Sequence, residues 1–219
     1  MRYAFYLITF LALIVSSCKS TNEKSEISNS IKEVKDSTYT DKMVIEDPHS
    51  FAKPNEAIVK HLNLEMAIDF ESKTLSGIAH WNIESAENAT EIIFDTKELN
   101  IEKVWINNEQ EAEYNLGNHD PIFGSALKVK INEATKVVSI KYQTSPGAEA
   151  LMWLEPAQTQ GKTHPFFFTQ SQAILARTWI PCQDGPGVRY TYQATVTTPD
   201  GLMAAMSASN PTQKSATNT

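Results

Sequence analysis

The dominant pattern along this chain is an alternation of apolar and polar residues with a period of two, which is typical of half-buried β-strands. The clearest run spans residues 61–70 and places five apolar side chains on one face: Leu62, Leu64, Met66, Ile68 and Phe70. A polar turn at residues 71–74 separates this run from a second alternating run at 75–83. Two such runs joined by a short polar turn predict a β-hairpin.

Further short strands are predicted along the rest of the chain, at residues 91–95, 103–107, 127–131, 138–142 and 190–196. Asn, Ser, Pro and Gly residues cluster between several of these runs, as turns require. Outside the first fifteen residues, no window repeats apolar residues at the helical spacing. The sequence therefore predicts an all-β domain, an antiparallel β-sandwich or a related two-sheet structure.

The N-terminus has a different pattern, with a continuous apolar run from Ala4 to Val15 behind a single Arg2. Twelve helical residues rise about 18 Å, which is too short to cross a bilayer, so the run is typical of a secretory signal. Small residues then lead directly to Cys18, and this arrangement resembles the lipobox of bacterial lipoproteins. The alternative is an ordinary signal followed by an incidental cysteine.

If the lipobox interpretation holds, residues 1–17 are removed and Cys18 carries the lipid, which anchors the protein in a bacterial cell envelope, on the periplasmic or outer-membrane face. Residues 18–50 are rich in Ser, Thr, Lys and acidic residues with scattered apolar ones, which predicts a flexible tether. The folded domain is then expected to span residues 51–219.

Charge and motif content exclude several classes of function. The net charge of −7 argues against a protein that binds nucleic acid through its phosphates. None of the five histidines has the spacing of a zinc motif, so no metal site is predicted in this chain. Cys182 with His164 could form a thiol nucleophile and its base, but a small buried apolar cysteine is the favoured interpretation.

The stretch from residue 153 to 184 stands out for its aromatic and amide side chains. If residues 168–173 are extended, Gln170 and Gln172 point to the same face and offer two donors and two acceptors. Such a pair suits the amino end or the backbone of a peptide. From chemistry alone, two solvated glutamines on an edge strand remain the favoured alternative.

Residues 161–174 and 179–184, with their Gln-Ser-Gln-Ala and Pro-Cys-Gln-Asp motifs, resemble the N-terminal domain of the zinc aminopeptidases. The similarity is greatest to the leukotriene-A hydrolase/aminopeptidase branch. Segments 60–77, 95–104 and 202–208 agree with it, so the resemblance covers roughly residues 45–210.

The resemblance implies a saddle-like β-domain packed over a catalytic domain, with a peptide as substrate. It also implies four residues that contact the substrate: Gln170, Ser171, Gln172 and Ala173. Gln172 is the first candidate for a polar contact. Zinc belongs to the full-length enzyme in that family, where it activates water beside a glutamate base.

The chain departs from the family pattern in one respect, because neither His-Glu-x-x-His nor Gly-x-Met-Glu-Asn occurs in it. We therefore expect an N-terminal fragment of a lipoprotein aminopeptidase that is inactive alone and whose partners are a peptide, its own catalytic domain and a membrane. The alternative is a stand-alone envelope lipoprotein that uses the same sandwich as a peptide-binding or scaffolding module.

Overall fold

We describe the protein from a computed structural model, which covers residues 46–107 and 110–210. Strands dominate this part of the chain, and it contains no α-helix, only two short 3₁₀ turns at Pro156–Gln158 and Ala176–Thr178. The strands are β1 (Ala57–Asp69), β2 (Thr74–Ser85), β3 (Glu91–Thr96), β4 (Asn100–Ile106), β5 (Gln110–Glu111), β6 (Tyr114–Leu116), β7 (Ser125–Lys130), β8 (Val137–Gln143), β9 (Leu151–Leu154), β10 (Phe166–Thr169) and β11 (Thr191–Thr197).

These strands form a six-stranded sheet in the order β11-β1-β2-β8-β4-β5, a three-stranded sheet in the order β3-β7-β6, and the pair β9-β10. The all-β fold class is thus confirmed. One pair differs from the antiparallel expectation, because β11 runs parallel to β1, with His61 opposite Thr191. Alternation reveals that a segment is a strand but not its direction. A parallel pair needs a crossover connection, as the intervening chain provides.

The predicted hairpin is confirmed, since β1 and β2 pair in antiparallel register with Leu62 opposite Trp81. The other five predicted strands are present as β3, β4, β7, β8 and β11, and β4 begins three residues before the predicted start. The strands that the sequence did not reveal are β5, β6, β9 and β10. Each has two to four residues, too few for a period of two to be recognised.

The core lies between the six-stranded and the three-stranded sheets. Trp81 of the large sheet packs against Phe94 of the small one, with ring centroids 6.2 Å apart. Fully buried apolar side chains from both sheets surround this pair, among them Leu64, Val138, Ile140, Leu127 and Val129. Burial of this apolar surface is the main stabilising contribution to the fold.

Gly77 explains one close approach within the hairpin. A Cβ atom at this position would lie 1.9 Å from the carbonyl oxygen of Glu65 on the paired strand. Any side chain at position 77 would therefore force β1 and β2 apart, so this position requires glycine.

Residues 1–45, including Cys18, lie outside the described part of the chain, so the signal, the lipidation site and most of the tether stay predictions. At the predicted end of the tether, the His49 carbonyl accepts a hydrogen bond from Arg177 and the Ser50 hydroxyl donates one to Asp95. No helix in residues 46–107 and 110–210 is long and apolar enough to cross a membrane.

Candidate functional site

An apolar cleft of about 360 Å³ opens beside the β9-β10 pair, at the end of β1 where Ile68 and Phe70 lie. Strand β10 provides one wall of this cleft, and the segment 202–207 after β11 provides the other. Phe166 and Phe168 stand on the same side of β10, 56% and 42% exposed, with ring centroids 6.0 Å apart. The cleft is therefore an exposed apolar surface next to the predicted site residues.

Phe167 points to the opposite side of β10 and anchors the strand. Its ring packs on Trp153 of β9 at a centroid distance of 4.3 Å, and Trp153 in turn meets the edge of Phe70 at 5.3 Å. This aromatic stack ties the β9-β10 pair to the end of β1. Of the three phenylalanines of β10, Phe167 is therefore the one whose ring packs on β9.

The predicted site residues follow directly after β10. The backbone N–H of Gln170 still donates to the Ala150 carbonyl at 2.8 Å, but the strand ends at Thr169 and the chain turns from residue 172. The assumption that 168–173 is extended is therefore wrong beyond Thr169. The turn forms because the Leu175 N–H donates to the Ser171 carbonyl at 2.9 Å and leads the chain into the 3₁₀ turn at Ala176–Thr178.

The four residues of this turn have different environments. The side-chain oxygen of Gln170 accepts the Gln172 backbone N–H at 3.0 Å, so Gln170 is exposed but engaged in its own turn. Ser171 is half-buried, and its hydroxyl accepts a hydrogen bond from the Trp179 indole at 3.0 Å. Gln172 and Ala173 are exposed and joined by a cis peptide bond.

Only Gln172 of the two glutamines therefore presents a carboxamide without a hydrogen bond to the described part of the chain. Its oxygen can accept from an ammonium or amide N–H, and its NH₂ group can donate to a carbonyl. Ala173 beside it is small and exposed. We call residues Gln170–Ala173 the display turn.

A buried ionic cluster lies a few residues further on, and sequence reasoning did not reveal it. The Arg177 side chain is fully buried, and its guanidinium donates to the Asp184 carboxylate at 3.0 Å and to the carbonyls of Phe123 and His49 at 2.9 and 2.8 Å. Asp95, also fully buried, has its carboxylate 3.7 Å from the same guanidinium. A buried arginine is stable only when its donors are satisfied in this way.

Asp95 is also bonded to the backbone around it. Its carboxylate accepts from the Phe51 N–H at 2.7 Å, from the Asp184 N–H at 2.9 Å and from the Ser50 hydroxyl. Because Asp95 belongs to β3, whose edge also pairs with Cys182, these bonds attach segment 177–184 to the small sheet.

Two carboxylates share the single Arg177 charge. Burial raises the pKa of Asp184 above its ordinary value of 3.8, although the Arg177 guanidinium acts in the opposite direction. The nearby negative charge of Asp95 adds to the effect of burial. The structure therefore keeps Asp184 in an environment where ionisation is unfavourable compared with water.

Gln183 joins the two sheets. Its side chain is 2% exposed, accepts the Val59 N–H at 3.1 Å and donates to the Ala57 carbonyl at 2.8 Å, both on β1. Its amide also lies 3.4 Å from the Ile93 carbonyl on β3. The Pro-Cys-Gln-Asp motif therefore has a structural role, and we call residues Arg177–Asp184 the frame segment.

Cys182 is free and buried. Burial raises the pKa of its thiol well above the usual range, and the charges of Asp184 and Asp95 add to this effect. A thiol in this setting stays protonated, which supports the interpretation as a small buried residue over that as a nucleophile.

No group of three or more His, Cys, Asp or Glu residues able to hold a metal ion occurs in residues 46–107 and 110–210. The described residues therefore do not fit a zinc site. The geometry offers a β-domain with an exposed polar turn beside an apolar cleft.

The chain belongs to the Peptidase M1 N-terminal domain family, whose profile matches residues 58–219. It is 38% identical over 168 residues to the leukotriene A-4 hydrolase of Xenopus laevis, covering 74% of this chain and 27% of that protein. It is 32% identical over 165 residues to leucine aminopeptidase 2 of Phaeosphaeria nodorum, covering 73% and 26%. The chain thus spans about a quarter of the length of the curated relatives it matches.

Solved structures agree with this assignment. The yeast leukotriene A4 hydrolase in complex with bestatin matches with a TM-score of 0.67 and 26% identity, over 73% of this chain and 26% of that one. An M1 zinc metallopeptidase from Deinococcus radiodurans shares the fold, with a TM-score of 0.58 and 16% identity over 78% and 39% of the two chains. The resemblance inferred from the sequence motifs is confirmed.

Proposed function

We propose that this chain is the substrate-contacting N-terminal domain of a zinc aminopeptidase that removes residues from the amino end of peptides. The observation that carries the proposal is the display turn, where Gln172 presents an exposed carboxamide without a hydrogen bond to the described residues. The similarity of the chain to leukotriene A-4 hydrolase and leucine aminopeptidase 2 supports a peptidase role for the full-length protein.

A peptide's amino end suits this turn chemically. Its ammonium group needs acceptors, and its first peptide unit offers an N–H and a carbonyl close together. The Gln172 carboxamide can supply both an acceptor and a donor, whereas the Gln170 oxygen is already used within the turn. We therefore assign the main polar contact to Gln172, the packing contact to Ala173, and positioning roles to Gln170 and Ser171.

The catalytic groups would come from a second domain of the full-length protein, which is also where zinc would bind. The apolar cleft beside the display turn supports a packing surface for such a domain, because Phe166, Phe168 and Met203 are each about half exposed there. Clustered apolar side chains at a surface commonly mark an interface. In this arrangement the display turn lies at the edge of the interface, where a substrate cleft would form.

The N-terminal sequence supports a location of the enzyme in the cell envelope. Cys18 follows a short apolar segment and small residues, so we propose that it carries a lipid and anchors the protein in a bacterial cell envelope. Replacement of Cys18 by Ala should move the protein from the membrane to the soluble fraction and abolish labelling with a fatty acid. Unchanged fractionation and labelling would contradict the anchor without affecting the peptidase proposal.

The peptidase proposal is tested by following the reading frame beyond the codon for Thr219. We expect it to continue into a domain with His-Glu-x-x-His, and the full-length protein to hydrolyse aminoacyl nitroanilides until zinc is removed with a chelator. A stop codon at that point, or a full-length protein without such activity, would overturn the proposal in favour of a tethered binding module.

A further inference from the structure

One tryptophan lines the apolar cleft and also bonds to the display turn. Trp179 belongs to the frame segment, and it lines the cleft together with Thr169, the last residue of β10 before the display turn. Its indole N–H donates to the Ser171 hydroxyl in the display turn at 3.0 Å. Trp179 therefore connects the proposed packing surface for a second domain with the proposed peptide-contacting turn.

The backbone of Trp179 is held in place by the residues on either side of it. Thr178 is buried, and its hydroxyl accepts the Ala150 N–H at 3.2 Å and donates to the Leu175 carbonyl at 2.7 Å. Ile180, on the other side, is buried in the hydrophobic core. Because both neighbours are buried, the indole projects from a firmly attached part of the backbone.

The Trp179 side chain is also restrained. It is half-buried and packs against the hydrophobic core. A tryptophan side chain has only two torsions, so a ring that packs in this way leaves its N–H little freedom of direction. The indole N–H can only donate, and the Ser171 hydroxyl must therefore turn an oxygen lone pair toward it.

Ser171 is held at two points. Its hydroxyl accepts from the Trp179 indole, and its carbonyl accepts the Leu175 N–H at 2.9 Å. Gln172 follows directly, and its side chain has no hydrogen bond to residues 46–107 and 110–210. The direction of the Gln172 side chain therefore depends on the backbone at Ser171 rather than on hydrogen bonds of its own.

We propose that Trp179 is a positioning residue of the peptide site, which acts through Ser171 to fix the backbone from which Gln172 projects. This inference rests on the proposed function and extends it to a residue outside the display turn. Without the indole N–H, binding of a peptide would have to order the turn, which costs conformational entropy. Since the contact at Gln172 does not take part in bond breaking, the loss should appear in KM rather than in kcat.

The test is steady-state hydrolysis of a tripeptide by the full-length protein. Trp179→Phe keeps an aromatic ring at the cleft but has no N–H to donate to Ser171. At a temperature well below the unfolding transition, we expect KM to rise about two- to fivefold while kcat stays unchanged. A role confined to stability would lower the unfolding midpoint and leave KM unchanged, and that result would overturn the inference.

A double-mutant cycle attributes the change in KM to the hydrogen bond between the two side chains. Ser171→Ala removes the acceptor and should raise KM at least as much as Trp179→Phe does. If the bond is responsible, Trp179→Phe should cause no further rise in a protein that already carries Ser171→Ala. Increases in KM that multiply in the double variant would show that the two side chains act separately, which would contradict the inference.

Trp153→Phe is the matched control. Trp153 of β9 is also half-buried, but its indole N–H has no hydrogen-bond partner in the described part of the chain, so KM should equal that of the wild type. The same rise in KM as in Trp179→Phe would overturn the assignment. A full-length protein without zinc-dependent peptidase activity would overturn the proposed function and this inference together, whereas an active protein in which Trp179→Phe leaves KM unchanged would overturn this inference alone.

Discussion

The display turn and the frame segment lie within fifteen residues of each other, and both are rich in polar side chains, yet the structure uses them in opposite ways. In the frame segment, the polar groups of Arg177 and Gln183 are buried and bonded to several separate parts of the chain. In the display turn, Gln172 and Ala173 are exposed, and Gln170 is bonded only within its own turn.

The difference shows how a small β-domain can hold an exposed turn in place without a helix. The frame segment is attached to β1 through Gln183 and to β3 through Asp95 and Cys182, which fixes the chain that follows the display turn. Strand β10 fixes the chain that precedes it. Contacts within the domain therefore fix both ends of the turn, which would reduce the entropic cost of the peptide contact that we propose for it.

The largest expected effect comes from removing the buried charge of the frame segment. Arg177→Met keeps much of the volume but leaves Asp95 without its cation and several acceptors unpaired, so the free energy of unfolding should fall by about 3–5 kcal/mol. Urea denaturation measures this change. The control Arg189→Met alters an exposed arginine and should stay within about 0.5 kcal/mol. Similarly small losses of unfolding free energy in both variants would contradict the burial of Arg177 in the frame segment.

The next effect concerns the amide that joins the sheets. Gln183→Leu is close to isosteric, but it leaves the Val59 N–H and the Ala57 carbonyl without their partner in a buried setting. We expect a loss of about 2–3 kcal/mol in the same denaturation experiment. Gln160→Leu, at an exposed turn position, is the matched control and should be nearly neutral. A neutral Gln183→Leu would mean that Gln183 does not hold the sheets together.

Carboxyl titration distinguishes the buried segment from an exposed turn. The pKa of Asp184 should lie above 3.8 because of burial, whereas that of Asp120 should lie below it because the N–H groups of Phe123 and Ile122 donate to its carboxylate. NMR titration of the carboxyl carbons measures both. The same pKa at the two sites would remove this electrostatic difference between the buried and the exposed setting.

The sign of each contribution to stability follows from these directions. For Asp184, the folded state binds the proton more tightly, so its contribution to stability declines as pH rises from the unfolded pKa through the raised folded one. For Asp120, the contribution is present above the unfolded pKa and is lost as pH falls through the depressed folded one.

The smallest expected effect is at the link between the two segments. Trp179→Phe removes the indole N–H that donates to Ser171 but keeps an aromatic ring, so stability should fall by only about 0.5–1.5 kcal/mol. Hydrogen exchange of the Leu175 amide, which closes the turn, should become faster. Trp153→Phe removes a buried indole N–H that has no hydrogen-bond partner in the described part, and should leave that exchange rate unchanged. Equal rates in the two variants would exclude this link.

The sequence predicts the fold better than the site. Alternation in runs such as 61–70 reveals long strands because each has one face in the core and one in water. Short strands like β9 and β10 contain too few residues for that signal. The parallel direction of β11 depends on where the chain crosses over, which no local pattern records.

The site was only partly predictable for a related reason. The Gln-Ser-Gln-Ala and Pro-Cys-Gln-Asp motifs drew attention to the display turn and the frame segment. The two segments differ in burial, and burial depends on contacts between distant parts of the chain. Arg177 is the clearest case, because its partners His49 and Phe123 lie 128 and 54 residues away in sequence. Gln170 and Gln172 were expected to act alike, and a local hydrogen bond within the turn makes them different.

The most direct test of the contrast between the two segments is the effect of Gln172→Ala on peptide hydrolysis by the full-length protein. We expect KM for a tripeptide to rise about tenfold, as the loss of one polar contact to the substrate predicts, while the unfolding midpoint stays unchanged. Gln160→Ala should change neither quantity. Kinetic constants for Gln172→Ala that match those of Gln160→Ala would show that the display turn does not contact the peptide, and would contradict the account.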